Sequence, residues 1–194
     1  DVMRTTQTDR VLLDLLMPDM DGFGVIKTMQ EEKSLRGIPV IVVSGQVLTK
    51  RDMLRLNQGV AAGLGKGLFT SDEVVERIRS VLARSQRLGS EGQRLVFQAM
   101  GFIHEHYREQ VSRSDIAGNL NVNEQYLSRC FNKEIGIGPM AYLSRNRIEQ
   151  AKRLLEEGNH SITQVALEVG LSSQSYFSRI FHQETGVSPS AYQR

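Results

Sequence analysis

Residues 127–142 read LSRCFNKEIGIGPMAY and residues 177–192 read FSRIFHQETGVSPSAY, and eight of the sixteen positions are identical at an offset of 50 residues. An internal repeat constrains the architecture before any single element is assigned. A helix pattern precedes each copy, SRSDIAGNL from Ser112 and SITQVALEV from Ser161, and a turn of Asn, Gly or Ser residues follows it. Each unit therefore reads helix, turn, helix, over about 112–133 and 161–183. Two such units in tandem suit two recognition helices presented to one duplex.

The ends of the units carry their own chemistry. Ser112 with Asp115 and Ser161 with Gln164 have the spacing of a capping box, which satisfies free amides at a helix start. Gly136 and Gly186 suit a helix C-terminal position of positive φ, and Pro139 and Pro189 suit the first turn of the helix that follows. The helix between the units is expected from Pro139 to about Glu157, stopping before Gly158. At 1.5 Å per residue it would be ~28 Å long, comparable with the ~34 Å between successive major-groove faces of B-DNA.

A 100° wheel separates the core and reading faces of the second helix of each unit. Leu127, Cys130 and Phe131 cluster on one side, and Gln125, Arg129, Asn132 and Lys133 on the other. Ser175, Arg179, His182 and Gln183 repeat the outward set. Arginine can bond guanine O6 and N7 bidentately, glutamine suits adenine, and serine or histidine suits base edges or phosphate. A polar outward face on one helix is ordinarily just solvated; its recurrence on two helices argues for a reading face.

At this point residues 94–194 resemble the DNA-binding domain of the AraC/XylS family of transcription regulators, most closely in VALEVGLSSQSYFSRIFHQETGVSPSAYQR. The resemblance implies an all-α domain of seven helices, with two helix-turn-helix units joined by a long helix and recognition helices in adjacent major grooves. Carried over by position, it implies Gln125, Ser128 and Arg129 as base readers in the first unit and Gln174, Ser175 and Arg179 in the second. Asn123, Tyr126, Ser173 and Ser178 become phosphate-contact candidates.

Outward from the repeat, Leu95, Val96, Ala99, Met100 and Ile103 form one apolar face of a helix running to about Tyr107, expected to pack on the first unit. His104 and His106, two apart, fall on different faces, which argues against a metal pair; both read as solvated surface residues. Residues 84–93, RSQRLGSEGQ, lose all periodicity and read as the domain boundary, with 85–93 as linker.

Ahead of the linker, strands alternate with helices, the pattern of an α/β fold with a parallel sheet. Val11-Leu12-Leu13 ends at Asp14 and leads through LLMPDMDG into a helix from Phe23 to Glu31. Val40-Ile41-Val42-Val43 is a continuous β-branched run of the buried kind and ends at Ser44-Gly45. Residues 50–58 read as a helix, 59–67 as a Gly-rich strand carrying Lys66, and 72–84 as a helix with Val74, Val75, Ile78, Val81 and Leu82 on one stripe. VMRTTQTDR reads as the end of a helix and a polar loop, so the chain is expected to open inside a domain.

In such sheets ligand chemistry gathers at the carboxyl ends of the strands, where Asp14, Ser44 and Lys66 fall. A carboxylate can take a phosphoryl group, a hydroxyl can bond its oxygens and an ammonium can neutralise its charge. Asp14 with MPDMDG, the VVSG run and Lys66 together resemble the receiver domain of bacterial response regulators. The resemblance implies a partial doubly wound parallel sheet over residues 1–84, with Asp14 as phosphoacceptor, Ser44 and Lys66 as the switch, and Asp14 with the Leu16 backbone carbonyl as magnesium ligands. The family's first strand, with its acidic pair, is not found ahead of Asp14, so the receiver is expected to be truncated. Gly67 stands where the family has proline, and Gly63 where it has an aromatic switch residue. Magnesium is therefore expected only where the acidic pair is supplied, with none bound to this chain.

Composition narrows the rest. One cysteine, Cys130, excludes disulfide scaffolds and multi-cysteine zinc sites. No apolar run approaches the ~20 residues of a membrane span, and no signal peptide is visible, so a cytoplasmic protein without membrane contact is expected. The net charge is +2, and residues 90–194 hold eleven Lys/Arg and eleven Asp/Glu, so any nucleic-acid case rests on where charges point. The reading is a two-component transcription regulator and not an enzyme. Its expected partners are double-stranded DNA, a sensor histidine kinase or phosphotransfer protein, and RNA polymerase. The alternatives are a phosphorylation-independent AraC-type regulator with a vestigial receiver, and a phosphotransfer sink.

Overall fold

The computed structural model describes residues 8–17, 20–44, 52, 55–56, 60–65, 68–83 and 91–193. In the N-terminal part, β1 (Val11–Asp14), β4 (Val40–Ser44) and β5 (Val60–Gly65) form a three-stranded parallel sheet in the order β1-β4-β5. The central β4 is buried along its whole length, as its unbroken apolar run requires. β1 is an edge strand among the described residues, and Leu12 on it is 59% exposed. Helices α1 (Gly22–Glu31) and α2 (Ser71–Ala83) accompany this sheet. The described residues thus show a three-stranded parallel sheet, and not the doubly wound arrangement expected from the sequence.

Two details differ from the sequence reading. The stretch read as a loop after Asp14 contains a small antiparallel hairpin, β2 (Leu16–Met17) and β3 (Met20–Asp21), with Leu16 opposite Asp21. Asp21 then caps α1, its side chain accepting from the Phe23 amide at 3.0 Å. On α2, Val75 is 46% exposed and lies off the stripe on which periodicity placed it. It is one residue, and so about 100°, from the half-buried Val74. Of the expected helix over 50–58, residues 52, 55 and 56 are described, and all three are helical.

The C-terminal part is built of seven helices among the described residues: α3 (Glu91–His106), α4 (Arg113–Asn119), α5 (Glu124–Glu134), α6 (Pro139–Glu156), α7 (Ile162–Glu168), α8 (Gln174–Thr185) and α9 (Pro189–Tyr192). Both capping boxes form as spaced, Ser112 with Asp115 and Ser161 with Gln164. Gly136 and Gly186 take φ of 85° and 77°, and Pro139 and Pro189 open α6 and α9. The apolar face of α3 packs on α4, α5 and α6.

The cores do not divide where the chain loses periodicity. One hydrophobic cluster runs from Leu13, through the sheet and α3, to Tyr142 and Leu143 at the start of α6. A second joins the other half of α6, from Ile148, to α7 and α8. Helix α3 already begins at Glu91, and Gln93, assigned to the linker from sequence, is buried and donates to the Val60 carbonyl of β5 at 2.8 Å. The remainder of that linker, 85–90, lies outside the described residues.

The histidines of α3 also differ from expectation. His104 stacks on Tyr142, with ring centroids 5.7 Å apart, and its Nε2 lies 2.9 Å from the Tyr142 hydroxyl. Tyr142 is fully buried, and burial pushes its phenol well above the ordinary range. A buried hydroxyl requires a partner, and His104 supplies it. His106 packs on the Phe102 ring and pairs with Glu109 at 2.9 Å.

Candidate nucleic-acid interface

The two recognition helices are built alike from their first residue. Asn123 caps α5, its side chain accepting from the Tyr126 amide at 2.7 Å, and Ser173 caps α8, accepting from the Tyr176 amide at 3.2 Å. These two phosphate-contact candidates therefore spend a side-chain oxygen on the helix start. Leu127, Cys130 and Phe131 face inward on α5, as do Phe177, Ile180 and Phe181 on α8. The opposite faces leave Gln125, Arg129, Asn132 and Lys133, and Ser175, Arg179, His182 and Gln183, exposed.

The remaining candidates are placed less uniformly. Ser128 and Ser178 are half-buried, and the Ser128 hydroxyl is buried with no hydrogen-bond partner among the described residues. Gln174 is exposed, but its amide oxygen accepts from the Thr163 hydroxyl at 2.6 Å. That bond occupies one of the two lone pairs of the amide oxygen and leaves the N–H pair free to face a groove. A comparable clasp joins the first unit, where Arg113 Nε donates to Glu124 at 2.6 Å. Tyr126 is half-buried and Tyr176 exposed.

Helix α6 fixes the two faces relative to each other. Its 18 residues span about 27 Å. Arg147, buried within it, donates from Nε to the Tyr107 carbonyl at 2.8 Å and from Nη2 to the Glu109 carbonyl at 2.6 Å. It anchors the loop after α3 to α6. Sequence reasoning passed over this arginine, although Leu143, Arg147, Ala151 and Leu155 recur every four residues on one buried stripe.

At the N-terminal sheet, Asp14 ends β1, half-buried, and Ser44 ends the neighbouring β4, fully buried. Asp14 pairs in register with Val43, so the two side chains stand at the carboxyl ends of adjacent parallel strands. Lys66 and Gly67 lie outside the described residues, and Leu16 sits in the small hairpin. Among the described residues no group of three or more His, Cys, Asp or Glu side chains comes together. A hard divalent cation needs several oxygen ligands, so the described residues around Asp14 do not fit magnesium. No described helix is long and apolar enough to cross a membrane.

The C-terminal part has counterparts among known proteins. The helix-turn-helix domain family matches residues 116–194. An uncharacterised HTH-type transcriptional regulator of Bacillus subtilis, YisR, is 33% identical over 85 residues, which is 44% of this chain and 30% of that protein. The chain thus spans less than a third of that curated relative's length. Among solved structures, the C-terminal domain of AraT, a response regulator from Geobacillus stearothermophilus, is 35% identical with a TM-score of 0.52, covering 54% of this chain and 88% of that one. A Chromobacterium violaceum transcriptional regulator of the AraC-type DNA-binding domain-containing proteins is 28% identical with a TM-score of 0.50, covering 52% and 90%. Over residues 116–194 the chain carries a helix-turn-helix domain of the AraC type.

Proposed function

We propose that the chain is a sequence-specific DNA-binding transcription regulator that reads one asymmetric duplex site across two adjacent major grooves. The observation that carries this reading is the repeated exposed face, Gln125 and Arg129 on α5 and Ser175 and Arg179 on α8, each set opposite a buried face. The two faces differ in residue type, so the site they read has no two-fold symmetry. Each arginine presents a fork suited to guanine, and α6 spaces the two helices.

The N-terminal unit is read as receiver-like, with Asp14 as the carboxylate that a sensor histidine kinase or phosphotransfer protein would modify. Its support is the placement of Asp14 and Ser44 at neighbouring strand ends, together with the resemblance of the C-terminal part to that of a response regulator. Both reading faces lie on the C-terminal helices, so DNA binding by this chain is taken to be independent of phosphorylation. Contact with RNA polymerase is the expected route to transcriptional output.

Footprinting on duplexes selected from a random pool, with and without a small-molecule phosphodonor and magnesium, tests both parts. Two protected patches about one turn, ~10 bp, apart are expected, unchanged by the phosphodonor. Arg129→Ala and Arg179→Ala should each cost ~1–3 kcal/mol on the selected site and relax preference at one base position. A single patch or a required palindrome would overturn the two-groove reading, and a requirement for phosphodonor would overturn the independence. Uniform weakening over all sequences would make the arginine a phosphate contact.

A further inference from the structure

Each recognition helix carries a tyrosine three residues before its exposed arginine, Tyr126 before Arg129 and Tyr176 before Arg179. The guanidinium carbon lies 5.8 Å from the ring centroid in the first pair and 5.3 Å in the second. Both distances fall within the range at which a ring face attracts a guanidinium, and the i, i+3 spacing keeps each pair on one side of its helix. The arrangement recurs at equivalent positions of two units whose intervening sequences differ, so it is a property of the repeat.

Packing accounts for these rings only in part. Tyr126 packs half-buried against the edge of the first core, and Tyr176 is 45% exposed. The backbone that carries each ring is nevertheless fixed, since the Tyr126 amide donates to Asn123 Oδ1 and the Tyr176 amide to Ser173 Oγ at the helix caps. The Cys130 thiol beside the Tyr126 hydroxyl pushes the Tyr126 pKa up. Cap, ring and guanidinium therefore form a short chain of support from the helix start to the arginine.

We propose that Tyr126 and Tyr176 are positioning residues that hold Arg129 and Arg179 as oriented forks for base recognition. An arginine side chain has many rotamers, and bidentate contact with a base edge uses few of them. A ring under the guanidinium removes some of that freedom before DNA arrives, so less is lost on binding. The tyrosines then set how sharply each arginine discriminates, while the arginine sets which base is chosen. This role rests on the DNA-reading role proposed above, and differs from a phosphate contact, which would use the tyrosine hydroxyl and not its ring.

The test compares Tyr126→Phe, Tyr126→Leu, Tyr176→Phe and Tyr176→Leu in the full chain. Binding is measured to the selected duplex, to duplexes altered at each base, and to unrelated DNA over a salt series. The Phe variants should keep the parent's discrimination. The Leu variants should lose about three- to tenfold at the base assigned to the following arginine, with unchanged affinity for unrelated DNA and an unchanged salt slope. In an Arg179→Ala background, Tyr176→Leu should have no further effect. Leu variants as selective as the parent overturn the positioning role. So do Phe variants that weaken binding to every sequence and lower the salt slope by about one, the mark of a lost phosphate contact. An Arg179→Ala variant with intact base preference shows instead that the base-reading role has failed, and the positioning role with it.

Discussion

Arg147 is a charged side chain in a buried stripe, and its partners are two backbone carbonyls just past the end of α3. Burial lowers its pKa, since a desolvated guanidinium has lost water that the carbonyls only partly replace. Truncation removes two charge-assisted bonds and leaves the Tyr107 and Glu109 carbonyls short of a partner. Arg147→Ala should destabilise the chain by about 2–4 kcal/mol in urea unfolding. Arg147→Lys should recover little, because an ammonium cannot span two carbonyls in the plane of a guanidinium fork. Full recovery by lysine would show that charge alone matters at this position.

The two helix-turn-helix units differ at their turns. Four residues, Leu120 to Asn123, join α4 to α5, with Asn121 at φ 53°, whereas the five from Val169 to Ser173 join α7 to α8, with Gly170 at φ 79°. The two glycines after the recognition helices align at an offset of 50, but these turns do not, and the second packs harder. A Cβ on Gly170 would lie 2.6 Å from the Arg108 carbonyl oxygen and 2.7 Å from that of Tyr107, and the Gly170 carbonyl accepts from Gln110 at 3.1 Å. Gly170→Ala should therefore cost about 2–4 kcal/mol, combining left-handed strain with backbone overlap. The check is thermal unfolding of the full chain together with hydrogen exchange over 162–185. A loss confined to α7 and α8 is expected, and an unchanged melting temperature would contradict the close approach.

At the scale of the whole molecule, one side chain ties the N-terminal unit to the second helix-turn-helix unit. Arg145 of α6 donates to both carboxylate oxygens of Glu73 on α2 at 3.0 Å each, and to the Leu68 carbonyl at 3.1 Å. It also lies over the Phe69 ring and 3.4 Å from Glu184 of α8. Beside this contact is a cleft of about 570 Å³, where Asp72, Glu73 and Glu76 face Asn132 and Gly136 at the end of α5. The Arg145 guanidinium holds the Glu73 carboxyl below its ordinary pKa. A depressed folded-state pKa contributes stability above the unfolded value, ~4.3 for glutamate, and that contribution disappears as pH falls through the folded value. The stability advantage of the parent over Glu73→Gln should accordingly be present at pH 7 and vanish as the solution is acidified below ~4. Equal stability of the two chains at pH 7 would mean that solvent screens the pair completely.

What the amino-acid sequence determined by itself is the run of the seven C-terminal helices, their caps and their inner faces. Each depends on residues within about four positions: Ser112 with Asp115, Ser161 with Gln164, Gly136 and Gly186 at positive φ, and apolar side chains recurring at helical period. The outward sets on α5 and α8 were legible for the same reason, being the complement of those inner faces. Only the tertiary structure decided which polar groups meet across long separations in the chain. His104 finds Tyr142 at a separation of 38, Gln93 finds Val60 at 33, and Arg145 finds Glu73 at 72. It also drew the boundary between the cores inside α6 and not at the polar stretch before α3. The physical reason is that local periodicity states which face of an element seeks burial, whereas the partner that face meets depends on how every other element has packed.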